Sequence, residues 1–252
     1  MENKIFVKSP GDIQKMAEGG KKLSKIKKAL KKAVCLGATA GEIEELAASL
    51  IKKEEGKPSF MMVPNYKWAT CINVNEGLVH GIPKPEIVFK KGDVVSIDVG
   101  FFYKGFHTDT SFSVGIGVDK ALENFLETGK IALKRAINEA KAGNYIFDIS
   151  KAIEDTVKGA GYTPVKALVG HGVGKLLHEG PQIPCFTGGR RENSPRITPE
   201  IVLAIEVMYA QGSDEVEIAK DGWTIFMRDG KMAALYEETV AVTSHGSLVL
   251  TG

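Results

Sequence analysis

Residues 92–100 read Gly-Asp-Val-Val-Ser-Ile-Asp-Val-Gly, a short apolar run that carries a carboxylate near its end. A run that is nearly continuous in apolar residues is typical of a β-strand covered on both faces. An ionised carboxylate in such a strand costs several kcal/mol unless a partner compensates its charge. Asp98 is therefore the first residue of this sequence that needs a chemical explanation.

Three further acids stand in strand-like runs. Asp109 lies in Gly-Phe-His-Thr-Asp-Thr, Glu206 in Val-Leu-Ala-Ile-Glu-Val-Met-Tyr, and Glu237 in Ala-Leu-Tyr-Glu-Glu-Thr. Backbone N–H groups or a distant arginine could satisfy any one of these acids. Four carboxylates in one domain, however, repel one another unless they are protonated or bridged by a cation. A divalent cation compensates all of them at once.

Histidines accompany these acids. His171 and His178 lie in Gly-His-Gly-Val-Gly-Lys-Leu-Leu-His, whose glycines favour a tight loop or the close approach of a ligand over a helix. His80 stands at the end of a strand-like run. Carboxylates and imidazoles together suit Mn²⁺, Fe²⁺, Co²⁺ or Zn²⁺. Because four acids exceed what one catalytic ion usually takes, we expect two ions about 3.5–4 Å apart, an arrangement that catalyses hydrolysis.

The composition is that of an ordinary globular protein. The chain has 252 residues, of which 43% are hydrophobic and 25% charged, and its formal net charge is +2. These values exclude a disordered tail, a collagen-like repeat and a disulfide scaffold, and they give no argument for nucleic-acid binding. Three widely spaced cysteines and an N-terminal stretch without an apolar segment predict reduced thiols and a cytoplasmic location. No apolar run approaches the ~18 residues of a membrane-spanning helix.

Apolar periodicity predicts four helices and two groups of strands. The first helix runs from Ser9-Pro10 to about Val34, and a capping box at Thr39–Glu42 opens a second that ends near Lys53. Two more helices are predicted over 119–141 and 146–159, and strands over 70–75, 93–103, 106–116, 201–210, 223–228 and 232–242. Since no linker divides the chain, we expect a single α+β domain over residues 1–252.

Six segments follow one another in a recognisable order: CINVNEGLVHGIP (71–83), GDVVSIDVG (92–100), GFHTDT (105–110), GHGVG with HEGPQ (170–182), IE (205–206) and ALYEET (234–239). Together they resemble the type I methionine aminopeptidases, over about residues 8–243. The resemblance implies the pita-bread (creatinase/aminopeptidase-like) fold, an antiparallel sheet with helices packed on its outer face. It also implies a metalloaminopeptidase that removes the initiator methionine of nascent proteins and peptides, by attack of a hydroxide activated by two metal ions on the first peptide bond.

The resemblance assigns roles position by position. It implies five metal ligands: Asp98, Asp109, His171, Glu206 and Glu237. Asp109 and Glu237 would bridge the two ions, and Glu206 would also move a proton during catalysis. The Tyr-Glu-x-Thr pattern selects Glu237 over Glu238, and strand alternation then turns Glu238 to the opposite face. His80 and His178 match residues that contact the scissile amide and the oxyanion.

The pocket for the first side chain departs from the family. Three positions match residues expected to line it: Tyr66, Cys71 and Trp223. Val63 and Leu177, however, stand where the family has a tyrosine and a phenylalanine. We therefore predict a wider or reshaped pocket with a shifted side-chain preference, since one methylene of fit is worth ~1–3 kcal/mol. The neighbouring Met61 and Met62 are interpreted as core residues rather than as pocket walls.

Other functions fit part of the same pattern. An X-Pro aminopeptidase or dipeptidase shares the fold and the metal set, although such relatives usually carry an extra N-terminal domain, which we do not expect before residue 59. A non-catalytic binding module would have lost ligands, whereas all five positions are filled here. The lysines between Lys21 and Lys32 are interpreted as a solvated helix face, with docking on the ribosome as the alternative. Family precedent indicates a monomer.

Overall fold

The structure, a computed structural model, describes residues 4–252, so residues 1–3 of the predicted domain lie outside it. It contains the helices α1 (Pro10–Ala33), α2 (Ala40–Lys53), α3 (Lys120–Glu139) and α4 (Ile146–Gly159). The strands are β1 (Lys57–Pro58), β2 (Thr70–Val74), β3 (Gly77–Val79), β4 (Val94–Tyr103), β5 (Phe106–Gly115), β6 (Thr163–Pro164), β7 (Val169–Gly172), β8 (Glu179–Pro184), β9 (Val202–Ala210), β10 (Val216–Ile218), β11 (Ile225–Met227), β12 (Ala233–Thr243) and β13 (Gly246–Val249).

Local capping explains where the first two helices begin. The Ser9 hydroxyl accepts the backbone N–H of Asp12, and Pro10 occupies the first turn of α1, where a missing N–H costs nothing. At the start of α2, the Thr39 hydroxyl accepts the N–H of Glu42, and the Glu42 carboxylate accepts the N–H of Thr39. Both predicted helix starts are therefore confirmed, and the capping box has the reciprocal geometry that the sequence indicates.

A ten-stranded sheet forms the centre of the fold. Its main path runs in the order β1-β4-β5-β12-β9-β7-β8, with β2 beside β4, β6 beside β9 and β13 beside β12. Every strand pair in it is antiparallel. A second, three-stranded sheet in the order β10-β11-β3 lies beside it. The predicted pita-bread architecture, an antiparallel sheet with helices packed against it, is confirmed.

The helices cover one face of the ten-stranded sheet. Ile97 and Val99 of β4 belong to the apolar core that α1 and α2 complete, and Ile205 and Val207 of β9 belong to the core that α3 and α4 complete. Successive side chains of a strand point to opposite faces, so Asp98 points away from the helices. The helical layer thus leaves the other face free for polar residues.

The glycines around His171 serve a strand rather than the tight loop that the sequence predicts. Residues 169–172 form β7, which lies between β8 and β9 in the sheet. A Cβ on Gly170 would lie 2.7 Å from the carbonyl oxygen of Ala204, and one on Gly172 would overlap the carbonyl oxygen of Gly180. The close approach that glycine permits here is therefore between backbones, not between backbone and ligand.

Met61 and Met62 are 52% and 49% exposed in a short 3₁₀ turn, so the prediction that they fill the core is wrong. The sequence offered only their apolar character, which does not say to which side of a turn a side chain points. Within residues 4–252, no helix combines the length and the apolarity that crossing a membrane requires.

Candidate metal centre and substrate pocket

Strand register gathers the predicted acids on the face of the sheet that the helices do not cover, the uncovered face. Asp98 of β4 stands opposite Ser111 of β5, Ser111 opposite Glu237 of β12, and Glu237 opposite Glu206 of β9. These residues therefore form one row across four adjacent strands. Asp109 precedes Ser111 by two positions, so its side chain points to the same face.

Histidine joins this row from the next strand. His171 of β7 stands opposite Ala204 of β9, two positions from Glu206 and on the same face. One ligand atom from each of Asp109, His171 and Glu237 can be chosen so that all lie within 4.8 Å of one another. The three residues are 3%, 2% and 1% exposed. This is the geometry of a group that could hold a metal ion.

The tautomer of His171 is set by its own strand. Nδ1 lies 2.8 Å from the carbonyl oxygen of Gly172, and a carbonyl only accepts, so Nδ1 carries the proton and donates it. Nε2 then faces the acids, 3.4 Å from Oε1 of Glu206. A backbone carbonyl that orients an imidazole in this way is typical of metal-binding histidines.

Two buried carboxylate oxygens of the predicted site lack any hydrogen-bond partner among the described residues. They are Oδ1 of Asp98 and Oε1 of Glu237, and the hydroxyl of Ser111 between them also lacks one. Unpaired buried oxygens are rare in folded proteins and require an explanation. Cations that prefer oxygen ligands would satisfy both carboxylates, so the residues present fit the predicted metal site.

The pKa values describe a site with too much negative charge. Burial and the charges of Asp109 and Glu206 raise the pKa of Asp98 well above its ordinary value. Burial, followed by Asp109, does the same for Glu237. The pKa of Asp109 is raised to about 7. Burial is the largest cause, the attraction by His171 opposes it in part, and the repulsion by Glu206 adds to it. Without a cation, the cluster therefore holds protons to reduce its charge.

His171 responds in the opposite direction. Burial lowers its pKa, but the hydrogen bond to Glu206 and the charges of Glu206 and Asp109 outweigh burial, so the net shift is upward. The acids thus favour a positive charge at Nε2. A proton or a metal ion can supply it.

Glu238 lies on the other face of β12, as strand alternation predicts. Its carboxylate accepts a hydrogen bond from Nζ of Lys27 at 2.6 Å and from the Thr251 hydroxyl at 2.5 Å. Of the two adjacent glutamates, Glu237 therefore faces the acid cluster and Glu238 completes an ion pair beneath α1.

A cavity of about 120 Å³ opens beside the cluster. Its polar end is formed by predicted site residues: His80, Asp98, Asp109, His171, His178 and Glu206. Its apolar part contains every residue predicted for the pocket: Val63, Tyr66, Cys71, Leu177 and Trp223. Glu237, which is 1% exposed, does not line the cavity.

Tyr66 organises the apolar end of the cavity. Its ring stands edge-on to Trp223, with the centroids 5.0 Å apart, and to Trp68 at 5.2 Å. Its hydroxyl donates to the carbonyl oxygen of Thr70 at 2.8 Å. With its polar atom satisfied by backbone, Tyr66 presents an apolar surface to the cavity. This end can accept an apolar side chain, while the polar end holds the groups for chemistry.

The two histidines predicted to contact the substrate, His80 and His178, also line the cavity. His80 follows β3 with φ +56, and burial lowers its pKa. His178 reaches solvent, and its ring packs edge-on against that of His171 with the centroids 4.5 Å apart. The partial burial of His178 and the charges of His171 and His80 lower its pKa. Both imidazoles are therefore neutral near pH 7 and able to donate one hydrogen bond each.

Sequence reasoning missed two lining residues, Phe60 and Val79. Phe60 packs edge-on against Tyr66 and so extends the aromatic wall. An aromatic residue a few positions before a predicted pocket residue was the available signal. Val79 immediately precedes His80, and its contribution depends on β3 packing beside β11, which residues far apart in the chain determine.

The family model for metallopeptidase family M24 matches residues 14–244. Methionine aminopeptidase 1 of Bacillus subtilis (strain 168) is 37% identical over 248 residues, which cover 98% of this chain and 99% of that protein. The methionine aminopeptidase of Escherichia coli (strain K12) is 32% identical over 249 residues, with 98% and 94% covered.

Solved structures also show similarity to methionine aminopeptidases. The crystal structure of a methionine aminopeptidase from Thermotoga maritima has a TM-score of 0.95 and 37% identity, covering 98% of this chain and 99% of that one. The prolidase from Pyrococcus furiosus shares the fold, with a TM-score of 0.76 at 22% identity, but the match covers only 65% of its length.

Proposed function

Because this chain belongs to metallopeptidase family M24, we propose that it is a metalloaminopeptidase that removes the N-terminal methionine from peptides and nascent proteins. One observation carries the proposal: a buried group of Asp109, His171 and Glu237 lies beside an apolar cavity, in a chain that matches methionine aminopeptidases over nearly its full length. The extent of the match also supports a single metallopeptidase domain over residues 1–252.

We propose two divalent metal ions as cofactors, of Mn, Fe, Co or Zn, held by Asp98, Asp109, His171, Glu206 and Glu237. The unpaired oxygens of Asp98 and Glu237 and the lone pair of His171 at Nε2 support this ligand set. When bound, such ions act as Lewis acids on the scissile carbonyl and provide a nucleophile at neutral pH. Glu206, whose side chain keeps 15% of its surface exposed, would pass a proton to the leaving amine.

The remaining residues bind and orient the substrate. His178 would donate a hydrogen bond to the oxygen that becomes negatively charged, and His80 would contact the scissile amide. Tyr66, Cys71 and Trp223 would enclose the first side chain. Since Val63 and Leu177 fill less space than aromatic rings, this part of the cavity supports a second candidate, an aminopeptidase with a shifted preference at the first residue.

A peptide panel tests these proposals. The metal-loaded protein is assayed on Met-Ala-Ser, Leu-Ala-Ser, Phe-Ala-Ser and Ala-Pro-Ala with Mn²⁺, Fe²⁺ or Co²⁺. Preference for Met-Ala-Ser supports methionine removal, and preference for Leu or Phe supports the shifted pocket. Cleavage only before proline would instead make the chain an X-Pro aminopeptidase. Binding of two metal ions without cleavage of any peptide would support a binding module.

Replacing Glu237 by Gln, with Glu238→Gln as the matched control, tests the ligand assignment. The first variant is expected to lose metal-dependent activity and the second to keep it, because only Glu237 faces the other acids.

We also propose that the enzyme acts in the cytoplasm as a monomer and reaches nascent chains through the lysine-rich face of α1. Five lysines of this face are exposed: Lys21, Lys25, Lys28, Lys31 and Lys32. Co-sedimentation with ribosomes should weaken steeply with salt, since the Debye length falls to ~3 Å at 1 M. Charge reversal at Lys28 and Lys31 should abolish it, whereas reversal at Lys52 and Lys53 on α2 should not.

A further inference from the structure

A buried ion pair joins the N-terminal segment to the residue that follows His178. Nζ of Lys8 lies 2.5 Å from Oε2 of Glu179, and the two side chains are 5% and 2% exposed. Burial lowers the pKa of Lys8, and the hydrogen bond to Glu179 opposes that shift. Because desolvating two charges often cancels the attraction between them, such a pair is weak evidence for stability alone. Its position therefore suggests a further role.

The pair lies directly under the loop of residues 173–178, which carries Leu177 and His178 into the cavity. Oε1 of Glu179 accepts the backbone N–H of Leu176 at 3.2 Å. Gly174 packs so closely on the pair that a Cβ there would lie 2.6 Å from Cε of Lys8. The carboxylate thus binds the loop backbone with one oxygen and the ammonium group with the other.

Backbone contacts fix the lysine on its own side. The N–H of Lys8 donates to the carbonyl oxygen of Glu200 at 2.7 Å, and its ammonium group also donates to the carbonyl oxygen of Phe6 at 2.9 Å. The N–H of Gly180 donates to the carbonyl oxygen of Lys4 at 3.2 Å. Backbone hydrogen bonds therefore hold the N-terminal segment both at Lys4 and at Lys8 itself.

We propose that Lys8 and Glu179 are positioning residues for the aminopeptidase reaction, whose ion pair holds the loop 173–178 so that His178 and Leu177 face the substrate. This inference rests on the proposed function. Neither Lys8 nor Glu179 belongs to the residues that line the cavity, so both act through the loop and not on the substrate.

The test compares Lys8→Met with Lys27→Met. Lys27 is a matched control because it also pairs with a glutamate, Glu238, at 2.6 Å with both side chains largely buried, but on the helical face of the sheet. We expect Lys8→Met to lower kcat for Met-Ala-Ser about tenfold to a hundredfold, the range for a lost hydrogen bond to a charged group. Lys27→Met should keep kcat within about twofold, even if it lowers the melting temperature more than Lys8→Met does.

A double-mutant cycle separates positioning from general damage. In a His178→Ala background the loop no longer carries the imidazole, so Lys8→Met should lower kcat less than about twofold. An equal loss in both backgrounds would overturn the proposal. Should Lys8→Met fail to fold, Glu179→Gln replaces it in the cycle, since glutamine keeps an acceptor for Leu176 and removes the charge.

Amide hydrogen exchange in the metal-free protein gives a readout independent of activity. Exchange at Leu176 should be at least about tenfold faster in Lys8→Met and unchanged in Lys27→Met. Unchanged exchange at Leu176 in Lys8→Met would refute the inference. Faster exchange in a protein that cleaves no peptide in the panel would refute the proposed function while leaving the structural role of the pair intact.

Discussion

Replacing Asp109 by Asn should stabilise the metal-free protein while it abolishes metal-dependent activity. Burial raises the pKa of Asp109 from 3.8 to about 7. Since one pKa unit corresponds to ~1.4 kcal/mol, the ionised carboxylate lowers the free energy of unfolding by ~4 kcal/mol at pH 8. Asparagine is neutral at every pH, and its amide oxygen can still accept the N–H of Thr110, which lies 3.1 Å from Oδ1 of Asp109.

The sign of the pH dependence follows from linkage. Because the native pKa of Asp109 lies above the unfolded one, the native state binds more protons between about pH 4 and pH 7. The contribution of Asp109 to the stability of the metal-free wild type should therefore fall as the pH rises through this window and level off above it. The advantage of Asp109→Asn should be small at pH 4.5 and reach ~2–4 kcal/mol at pH 8, where it raises the melting temperature by ~4–16 °C.

Thermal unfolding in the presence of EDTA at pH 4.5 and pH 8 measures this effect. Glu238→Gln is the control, because Glu238 pairs with Lys27 on the opposite face and its loss should destabilise the protein by ~1–3 kcal/mol. Added Mn²⁺ should raise the melting temperature of the wild type but not that of Asp109→Asn. A melting temperature for Asp109→Asn at or below that of the wild type at pH 8 would refute the reasoning.

Three further outcomes can be checked. Leu177→Phe should raise the kcat/KM ratio of Met-Ala-Ser to Phe-Ala-Ser at least about tenfold, and an unchanged ratio would remove Leu177 from the specificity pocket. A thiol reagent at pH 8 should label exposed Cys35 and spare Cys71 and Cys185, because both are buried and burial raises the pKa of Cys71. Labelling of a second thiol as fast as the first in the folded protein would contradict this. Gly172→Ala should prevent stable folding, whereas Gly159→Ala, with nothing within 4 Å, should shift the free energy of unfolding by less than ~1 kcal/mol.

Local signals in the sequence were sufficient for the four helices and for six strands, whereas seven further strands, β7 and β8 among them, were not predicted. Helix α4 has the predicted bounds, and β4 and β5 end within one residue of prediction, because caps, turns and apolar periodicity act over a few neighbouring residues. The alternation of side chains along β12 likewise predicted that Glu237 and Glu238 point to opposite faces of the sheet. Features that depend on a few neighbouring residues of these elements could thus be predicted.

Contacts between distant residues could not be predicted in this way. Periodicity does not indicate that β12 lies between β5 and β9, and only that order brings Glu237 opposite both Ser111 and Glu206. The strand conformation of His171 has the same origin, since glycines that favour a loop locally are required by the backbones of the neighbouring strands. The resemblance to a known family supplied this long-range information for the predicted ligands, but not for Phe60.

The two faces of the sheet divide stability and chemistry between them. The apolar side chains that β4 turns toward α1 and α2 favour folding. Asp98 on the other face of β4 opposes folding unless a cation binds its carboxylate. The packed face must therefore supply enough free energy to keep an acid cluster together without metal. Since a cation binds the assembled cluster far better than the unfolded chain, its binding energy adds to the stability of the fold. Variants of the uncovered face should accordingly change both metal affinity and metal-free stability, in opposite directions where a buried charge is removed, as in Asp109→Asn. Variants of the helical face should change stability and leave metal affinity as it is.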